Sequence, residues 1–158
     1  MLDGPVYRRI GAVDISALLA VLPQLQFVAV NTTSTDPGKS PCLVVPPGSP
    51  LPPAIPAFVG GLGLGGATKR ILIRKLGPRQ GMPPHVDQWM PGEANWRRFQ
   101  VPLVSHPDIL MRWPNDGVEV HLAPGFLYEV RFDRLHEVVN PTDVARVHLQ
   151  VDQIEATI

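Results

Sequence analysis

Two histidines and one aspartate have the residue types and the spacing of a metal-binding set. His85 and Asp87 lie two positions apart, and side chains at i and i+2 of an extended segment project from the same face. An imidazole and a carboxylate placed in this way can reach one metal ion. His136 is the candidate third ligand. Two histidines and one carboxylate form the facial triad that holds Fe(II) and leaves coordination positions open.

A His-x-Asp sequence also arises by chance, and a single histidine is commonly a surface or hydrogen-bonded residue. Arg146 favours the metal interpretation, because it follows His136 across an Asn140–Pro141 turn that lets the two residues sit on neighbouring strands. A guanidinium near the metal can hold a dicarboxylate through a two-pronged, charge-assisted contact.

Polar and apolar residues alternate on two of the predicted strands. Arg146, His148 and Gln150 fall on one face of the last strand, and Val147, Leu149 and Val151 fall on the other. Arg98 and Gln100 alternate with Phe99, Val101 and Leu103 in the same way. The pattern has two interpretations: a sheet with one solvated face, or a barrel interior whose polar groups hold a charged ligand.

These residues belong to a chain whose second half is rich in short β-type runs separated by turn formers. The predicted strands are Ile71–Leu76, Phe99–Val104, Val118–Leu122, Phe126–Val130 and Val144–Val151. Without helical patterns between them, they indicate an antiparallel sandwich, barrel or jelly roll. We expect one domain over residues 1–158, in which residues 70–152 form the β-barrel core with the metal site.

Residues 1–69 are expected to add a helix, a strand and Pro/Gly-rich loops packed on that barrel. Asp14 is the predicted N-cap of an amphipathic helix that carries Ile15, Leu18, Leu19 and Leu22 on one face. Phe27–Val30 is a predicted strand. The seven prolines of residues 41–56 predict an extended loop or edge, and Gly60–Gly66 predicts a hinge or lid.

The composition excludes several other classes of function. Fourteen Lys and Arg balance fourteen Asp and Glu, so the basic surplus typical of nucleic-acid binding is missing. One cysteine excludes an internal disulfide framework. No run of apolar residues reaches the roughly 18 that a membrane span needs. We therefore expect a soluble, cytoplasmic protein that binds neither nucleic acid nor membrane.

Four blocks of this sequence resemble the aspartyl/asparaginyl β-hydroxylase family of Fe(II)/2-oxoglutarate dioxygenases. They are PPHVDQW (83–89), RRFQVPLV (97–104), LAPGFLYEV (122–130) and HEVVNPTDVARVHLQVD (136–152). The last block is the most specific, since His-x-Val-x-Asn, the later Arg and the Arg-x-His-Leu-x-x-Asp ending occur together. The resemblance covers residues 70–152, about half of the chain.

The resemblance implies a double-stranded β-helix, that is, a cupin-like jelly roll. It implies that His85, Asp87 and His136 bind iron and that Arg146 pairs with the distal carboxylate of 2-oxoglutarate. Family members often carry Arg-x-His where this chain has Arg98-Phe99-Gln100. We expect the second contact to the cosubstrate from Arg98 or Gln100, with His148 in the same site.

The expected activity is hydroxylation of an amino-acid substrate, free or within a peptide, with dioxygen as the other reactant. Trp89 directly follows the metal motif and is the candidate contact to substrate. The alternative is a cupin-like protein whose barrel binds a metal or a small acid without catalysis, because jelly-roll folds serve many roles.

Overall fold

Two antiparallel sheets hold the strands seen in the computed structural model of this protein, which describes residues 4–29, 43–44, 50–87 and 95–155. The larger sheet has the strand order β1-β9-β6-β11-β4-β3-β2. Its strands are β1 Tyr7–Ala12, β2 Val28–Ala29, β3 Leu43–Val44, β4 Ala67–Leu76, β6 Trp96–Val104, β9 Phe126–Val130 and β11 Arg146–Ile154. The smaller sheet has the order β5-β10-β7-β8, formed by β5 Met82–His85, β7 Leu110–Trp113, β8 Val118–Val120 and β10 His136–Val139.

From β4 to β11 the chain passes back and forth between the two sheets. Strands β4, β6, β9 and β11 lie in the larger sheet, and β5, β7, β8 and β10 lie in the smaller one. Eight strands connected in this way form a jelly roll. The sheets face each other, since Leu76 of β4 packs with Ile109 and Val138, and Tyr128 of β9 packs with Trp113.

The two faces of β11 have opposite chemistry, as the alternation predicts. Leu149 and Val151 belong to the main apolar cluster on the outer face of the larger sheet. His148 and Gln150 point between the sheets, and each is only 2% exposed. Their face is therefore a buried polar interior, which excludes the interpretation of a solvated face.

Two helices cover the outer face of the larger sheet. They are α1, Ser16–Val21, and α2, Ala54–Gly61, and each buries apolar side chains in the cluster beneath, namely Leu18, Ile55 and Val59. The fold is mainly β with an N-terminal helix packed on it, which confirms that prediction. Two short 3-10 turns follow α1 and β7, at Leu22–Gln24 and Pro114–Asp116.

The start of α1 differs from the prediction by one residue. Ile15 occupies the N-cap position, and Asp14 accepts a hydrogen bond from the Ser16 backbone N–H at 3.0 Å. The Asp14 carboxylate thus forms a turn immediately before the helix rather than capping it from the N-cap position. Leu18 is fully buried on the predicted apolar face, whereas Leu19 is 41% exposed.

The structure also corrects the reading of the Pro/Gly-rich segment. Helix α2 begins inside the predicted extended loop, with Pro53 as its N-cap and Pro56 in its first turn, where proline is tolerated. The predicted Gly60–Gly66 hinge begins within this helix, because Gly60 and Gly61 are its last two residues.

Several strand boundaries differ from the predicted ones. Predicted strand Phe126–Val130 is confirmed as β9, but β4 and β6 begin several residues earlier than predicted and β11 extends to Ile154. Strand β8 ends at Val120 rather than Leu122, and β11 begins at Arg146 rather than Val144. The predicted strand Phe27–Val30 is reduced to β2, and residue 30 lies outside the described residues.

Four strands were not expected from the sequence: β1, β3, β5 and β7. His136 lies on a strand, β10, as expected, but β10 belongs to the smaller sheet and does not pair with β11, so His136 and Arg146 are not on neighbouring strands. Strand β1 adds an N-terminal strand at the edge of the larger sheet beside β9. Among the described helices, none has the length and apolar character that crossing a bilayer requires.

Candidate metal centre

The two candidate histidine ligands are register partners on adjacent strands. His85 is the last residue of β5, His136 is the first residue of β10, and the two pair directly across the smaller sheet. Directly opposed residues of an antiparallel pair place their side chains on the same face. The imidazole centroids lie 4.3 Å apart, with the rings tilted by 55°.

Asp87 completes the group from the segment that leaves β5. Its backbone N–H donates to the Phe132 carbonyl at 3.0 Å, which holds this segment against the loop that follows β9. One carboxylate oxygen lies 3.4 Å from His85 Nε2, and the other lies 3.9 Å from His136 Nε2. The three ligand atoms all fall within 4.8 Å of one another.

Backbone carbonyls select the tautomer of both histidines. His85 Nδ1 lies 2.8 Å from the Pro83 carbonyl, and His136 Nδ1 lies 2.7 Å from the Arg134 carbonyl. A carbonyl only accepts, so each Nδ1 carries the proton and donates it. The Nε2 atom of each ring is left facing Asp87, which is the arrangement that metal-binding histidines use.

The protonation equilibria of the three groups are shifted by one another. The hydrogen bond to Asp87 raises the pKa of His85, while burial lowers the pKa of His136. Partial burial works to raise the pKa of Asp87, but His85 and Arg98 outweigh it and hold that pKa well below its ordinary value. Asp87 is therefore an ionised carboxylate at neutral pH.

Arg98 connects this group to the larger sheet. Its Nη1 donates a short hydrogen bond to Asp87 Oδ2, and its Nε donates to Asp152 Oδ1 at 2.8 Å. The Phe132 ring lies 4.3 Å from the guanidinium carbon. Asp152 also accepts two hydrogen bonds from Arg70, from Nε at 3.0 Å and Nη2 at 2.7 Å.

Arg146 and His148 line a small void further along the interior of the barrel. Both are buried, with 6% and 2% of their surface exposed. The void is closed by residues of the smaller sheet and its loops, including Ile109, Met111 and Leu122. This part of the interior combines a cation and an imidazole with apolar walls.

His148 is a buried neutral imidazole, and only one of its nitrogens has a hydrogen-bond partner among the described residues. Burial, the charge of Arg146 and His121 hold its pKa well below the ordinary value. Its Nδ1 lies 3.0 Å from Gln100 Oε1. Its Nε2 is buried and makes no hydrogen bond within the described parts of the chain.

The predicted site residues thus fall into two neighbouring groups. The first group is His85, Asp87 and His136, and Arg98 contacts its Asp87. The second group is Arg146 and His148, and Gln100 contacts its His148. Trp89 lies outside the described residues.

The sequence reasoning missed two residues of this interior. Asp152 continues the alternation of Arg146, His148 and Gln150 along β11, so the same pattern could have found it. Arg74 is the register partner of His148 on β4, and its charge lowers the pKa of His85. The sequence signal for Arg74 was also an alternation of polar and apolar residues, because Ile71 and Ile73 lie on the opposite face of β4.

A cleft of about 320 Å³ adjoins the metal-binding group on the side of Arg98 and Phe132. Its walls carry charges of both signs, with Arg97 and Arg131 facing Glu129 and Asp133. Trp96 also lines the cleft, and its indole Nε1 is buried without a hydrogen bond among the described residues.

Comparison with solved structures identifies the architecture. A prolyl-4-hydroxylase from Pseudomonas putida matches with a TM-score of 0.64 at 13% identity, covering 95% of this chain and 92% of that one. A viral collagen prolyl hydroxylase from Paramecium Bursaria Chlorella virus-1, solved with 2-oxoglutarate, matches with a TM-score of 0.61 at 12% identity, covering 98% of both chains. The fold is a jelly roll.

AviO1 from Streptomyces viridochromogenes matches similarly, with a TM-score of 0.60 at 14% identity over 96% of this chain and 90% of that one. At such identities the likeness shows the fold alone. No family model matches the sequence, and no curated protein matches it either. The resemblance to the aspartyl/asparaginyl β-hydroxylases therefore stays a prediction, while the predicted double-stranded β-helix is confirmed.

Proposed function

We propose that this protein is an Fe(II)- and 2-oxoglutarate-dependent oxygenase that hydroxylates an amino-acid substrate, free or within a peptide. The observation that carries the proposal is the convergence of His85 Nε2, His136 Nε2 and the Asp87 carboxylate inside a jelly roll. Two imidazoles that turn Nε2 toward one point and one ionised carboxylate are the donor set of Fe(II) oxygenases. The solved hydroxylases with this fold support the same chemistry.

The residues that line the interior beyond the triad have the chemistry that a dicarboxylate cosubstrate would need. Arg146 would pair with the distal carboxylate of 2-oxoglutarate, because a buried guanidinium offers a planar pair of donors to a carboxylate. The buried Nε2 of His148 lines the same void and makes no hydrogen bond to the described residues, so it could donate to or accept from the cosubstrate. The Gln100 amide can turn either its oxygen or its nitrogen to His148 Nδ1, and so decides whether Nε2 carries the proton.

Each residue then has a defined task. Iron held at this site would supply, together with 2-oxoglutarate and dioxygen, the oxidising power for hydroxylation, with succinate and carbon dioxide as co-products. His85, Asp87 and His136 would hold the metal, Arg146, Gln100 and His148 would orient the cosubstrate, and the apolar walls of the void would exclude water. Arg98 adjoins both the triad and the cleft, and Trp89 stays the predicted contact to substrate.

Succinate formation tests the proposal directly. Purified protein loaded with Fe(II) under anaerobic conditions is mixed with 2-oxoglutarate and air, with and without pools of amino acids and short peptides. We expect succinate from the wild-type protein and none from His85→Ala or His136→Ala. His106→Ala is the matched control, because its side chain is 40% exposed and pairs with Asp108 rather than the triad.

Arg146→Met separates the cosubstrate site from the metal site. It is expected to retain the metal but to raise the KM for 2-oxoglutarate, because a charge-assisted pair is lost. Metal-loaded wild-type protein that neither binds 2-oxoglutarate nor forms succinate would contradict the proposal and leave the non-catalytic cupin-like alternative. A gain of one oxygen in the mass of an amino acid or a peptide would identify the substrate class.

A further inference from the structure

We propose that Arg98 is a positioning residue that fixes the orientation of the Asp87 carboxylate, and that Asp152 in turn holds Arg98. The inference rests on the proposed metal site, and it gives Arg98 a task other than the cosubstrate contact expected from the sequence. Its basis is a continuous line of hydrogen bonds from the larger sheet to one candidate ligand.

The position of the Arg98 guanidinium is set by residues that are not metal ligands. Arg98 and Asp152 are register partners on β6 and β11. Arg98 Nε and Nη2 donate to the two oxygens of Asp152, at 2.8 and 3.2 Å. This is the bidentate fork that a guanidinium forms with a carboxylate. The Phe132 ring packs against the guanidinium from one side, so Nη1 has a fixed place from which to reach Asp87.

Asp87 needs such a partner because it lies outside the regular strands. It follows β5 by two residues, and its side chain is 27% exposed, whereas the side chain of Arg98 is only 6% exposed. The Nη1 of Arg98 engages Oδ2 of Asp87. The other oxygen, Oδ1, is left 3.4 Å from His85 Nε2. The oxygen that Arg98 holds, Oδ2, lies 3.9 Å from His136 Nε2. Arg98 therefore fixes which carboxylate oxygen faces each histidine.

Charge alone would assign Arg98 the opposite effect. A guanidinium beside a metal site repels the cation, so its removal should strengthen metal binding if electrostatics were all that mattered. Asp152 offsets this repulsion, because it places a buried carboxylate on the far side of Arg98. If Arg98 instead acts by positioning Asp87, its removal should weaken metal binding. The two effects therefore predict changes of opposite sign in metal affinity.

Co(II) binding, followed by its ligand-field absorption, tests the inference without any turnover. Arg98→Lys keeps the charge but loses the fork, and we expect about 10- to 100-fold weaker binding with a changed spectrum. Asp152→Asn touches no ligand and is expected to change the spectrum in the same direction. Arg97→Lys is the control, since Arg97 neighbours Arg98 on β6 but pairs with Glu129.

Phe132→Leu supplies a milder variant that removes only the ring beneath the guanidinium, and circular dichroism establishes that each protein is folded. Any folded Arg98→Lys or Phe132→Leu protein with the wild-type spectrum and affinity overturns the inference. Tighter Co(II) binding by Arg98→Gln with an unchanged spectrum also overturns it. Absence of Co(II) binding by the wild-type protein would instead overturn the proposed metal site, and this inference with it.

Discussion

Gly81 lies directly before β5, where the backbone passes very close to β10. A Cβ atom at this position would meet the Val138 carbonyl oxygen at a separation that real Cβ atoms essentially never show. The obstacle is backbone of the strand that carries His136, so it has no flexible side chain that can move aside. The absence of a side chain at Gly81 thus permits the pairing that brings His85 and His136 together.

Gly81→Ala is expected to destabilise the fold and to weaken metal binding. The added methyl group must push β5 away from β10, and overpacking of this kind costs about 1–3 kcal/mol. Chemical unfolding and Co(II) titration measure the two effects. Gly60→Ala is the control, because open space surrounds that position in α2 and alanine favours a helix over glycine by up to about 1 kcal/mol. Equal stability and equal Co(II) affinity for Gly81→Ala and the wild-type protein would refute the expectation.

At the scale of elements, β11 joins the apolar core to the polar interior. Its odd-numbered residues from Val147 to Val151 pack beneath the helices, and its even-numbered residues from Arg146 to Asp152 supply polar groups between the sheets. Among the latter, Asp152 is an ionised carboxylate within the barrel. Burial works to raise its pKa, but the hydrogen bonds and charges of Arg98 and Arg70 outweigh burial and lower the pKa.

This lowered pKa predicts how the contribution of Asp152 to stability depends on pH. Above the ordinary value of 3.8, the carboxylate is charged in both the folded and the unfolded state, and its pairing stabilises the fold. Below that value the unfolded chain takes up the proton first, so the contribution declines as pH falls through the folded-state pKa. Asp152→Asn should cost about 3–5 kcal/mol at pH 7.

Denaturant unfolding at several pH values measures the difference between the wild-type protein and Asp152→Asn. We expect the difference to be largest at neutral pH and to shrink below pH 4. Asp143→Asn is the matched control, since Asp143 pairs with Arg79 at a site where both side chains are largely exposed. A difference that is constant over pH would mean that the charge of Asp152 does not stabilise the fold.

The elements also show what sequence patterns predict well and where they fail. Alternation identified β11 and the chemistry of both its faces, because a long strand with one apolar face carries a period-two signal. Strands β5 and β10 have four residues each, and β5 contains Pro83 and Pro84, which argue against a strand. Their pairing depends on tertiary structure, which local sequence does not record. The metal motif could therefore be predicted, although the pairing of β5 with β10 could not.

Helix α2 is a second element that local sequence patterns did not predict. Two prolines and two glycines lie at or near its ends, and these residue types have low helix propensity. The helix is stabilised by burial of Ile55 and Val59 against the larger sheet. Local sequence does not record that burial, and for this reason the segment was predicted to be a loop.

At the scale of the whole molecule, the two sheets contribute different halves of the proposed site. The smaller sheet carries both histidines of the triad, and the larger sheet carries Arg98, Gln100, Arg146 and His148. A cosubstrate chelated to the metal and paired with Arg146 would therefore contact both sheets. Its binding is expected to oppose their separation during unfolding.

Thermal unfolding in the presence of ligands tests whether the metal and the cosubstrate together connect the two sheets. We expect Co(II) alone to raise the Tm, and 2-oxoglutarate to raise it further only when Co(II) is present. At a concentration 100 times its Kd, each ligand would add about 2.7 kcal/mol. Arg146→Met should keep the first increase and lose the second. A full increase from 2-oxoglutarate without metal would show that the two halves bind independently.

The direct pairing of His85 with His136 also constrains how the length of this chain can vary. Successive side chains of a strand point to opposite faces. One residue inserted within β5 or β10 would therefore rotate an imidazole out of the barrel unless a bulge absorbs it, as the register shift between His136 and Val138 already does for one residue of β5. Residues added between Asp87 and β6 would change the length of the chain without changing this register, and insertions that survive selection should accumulate in that connection.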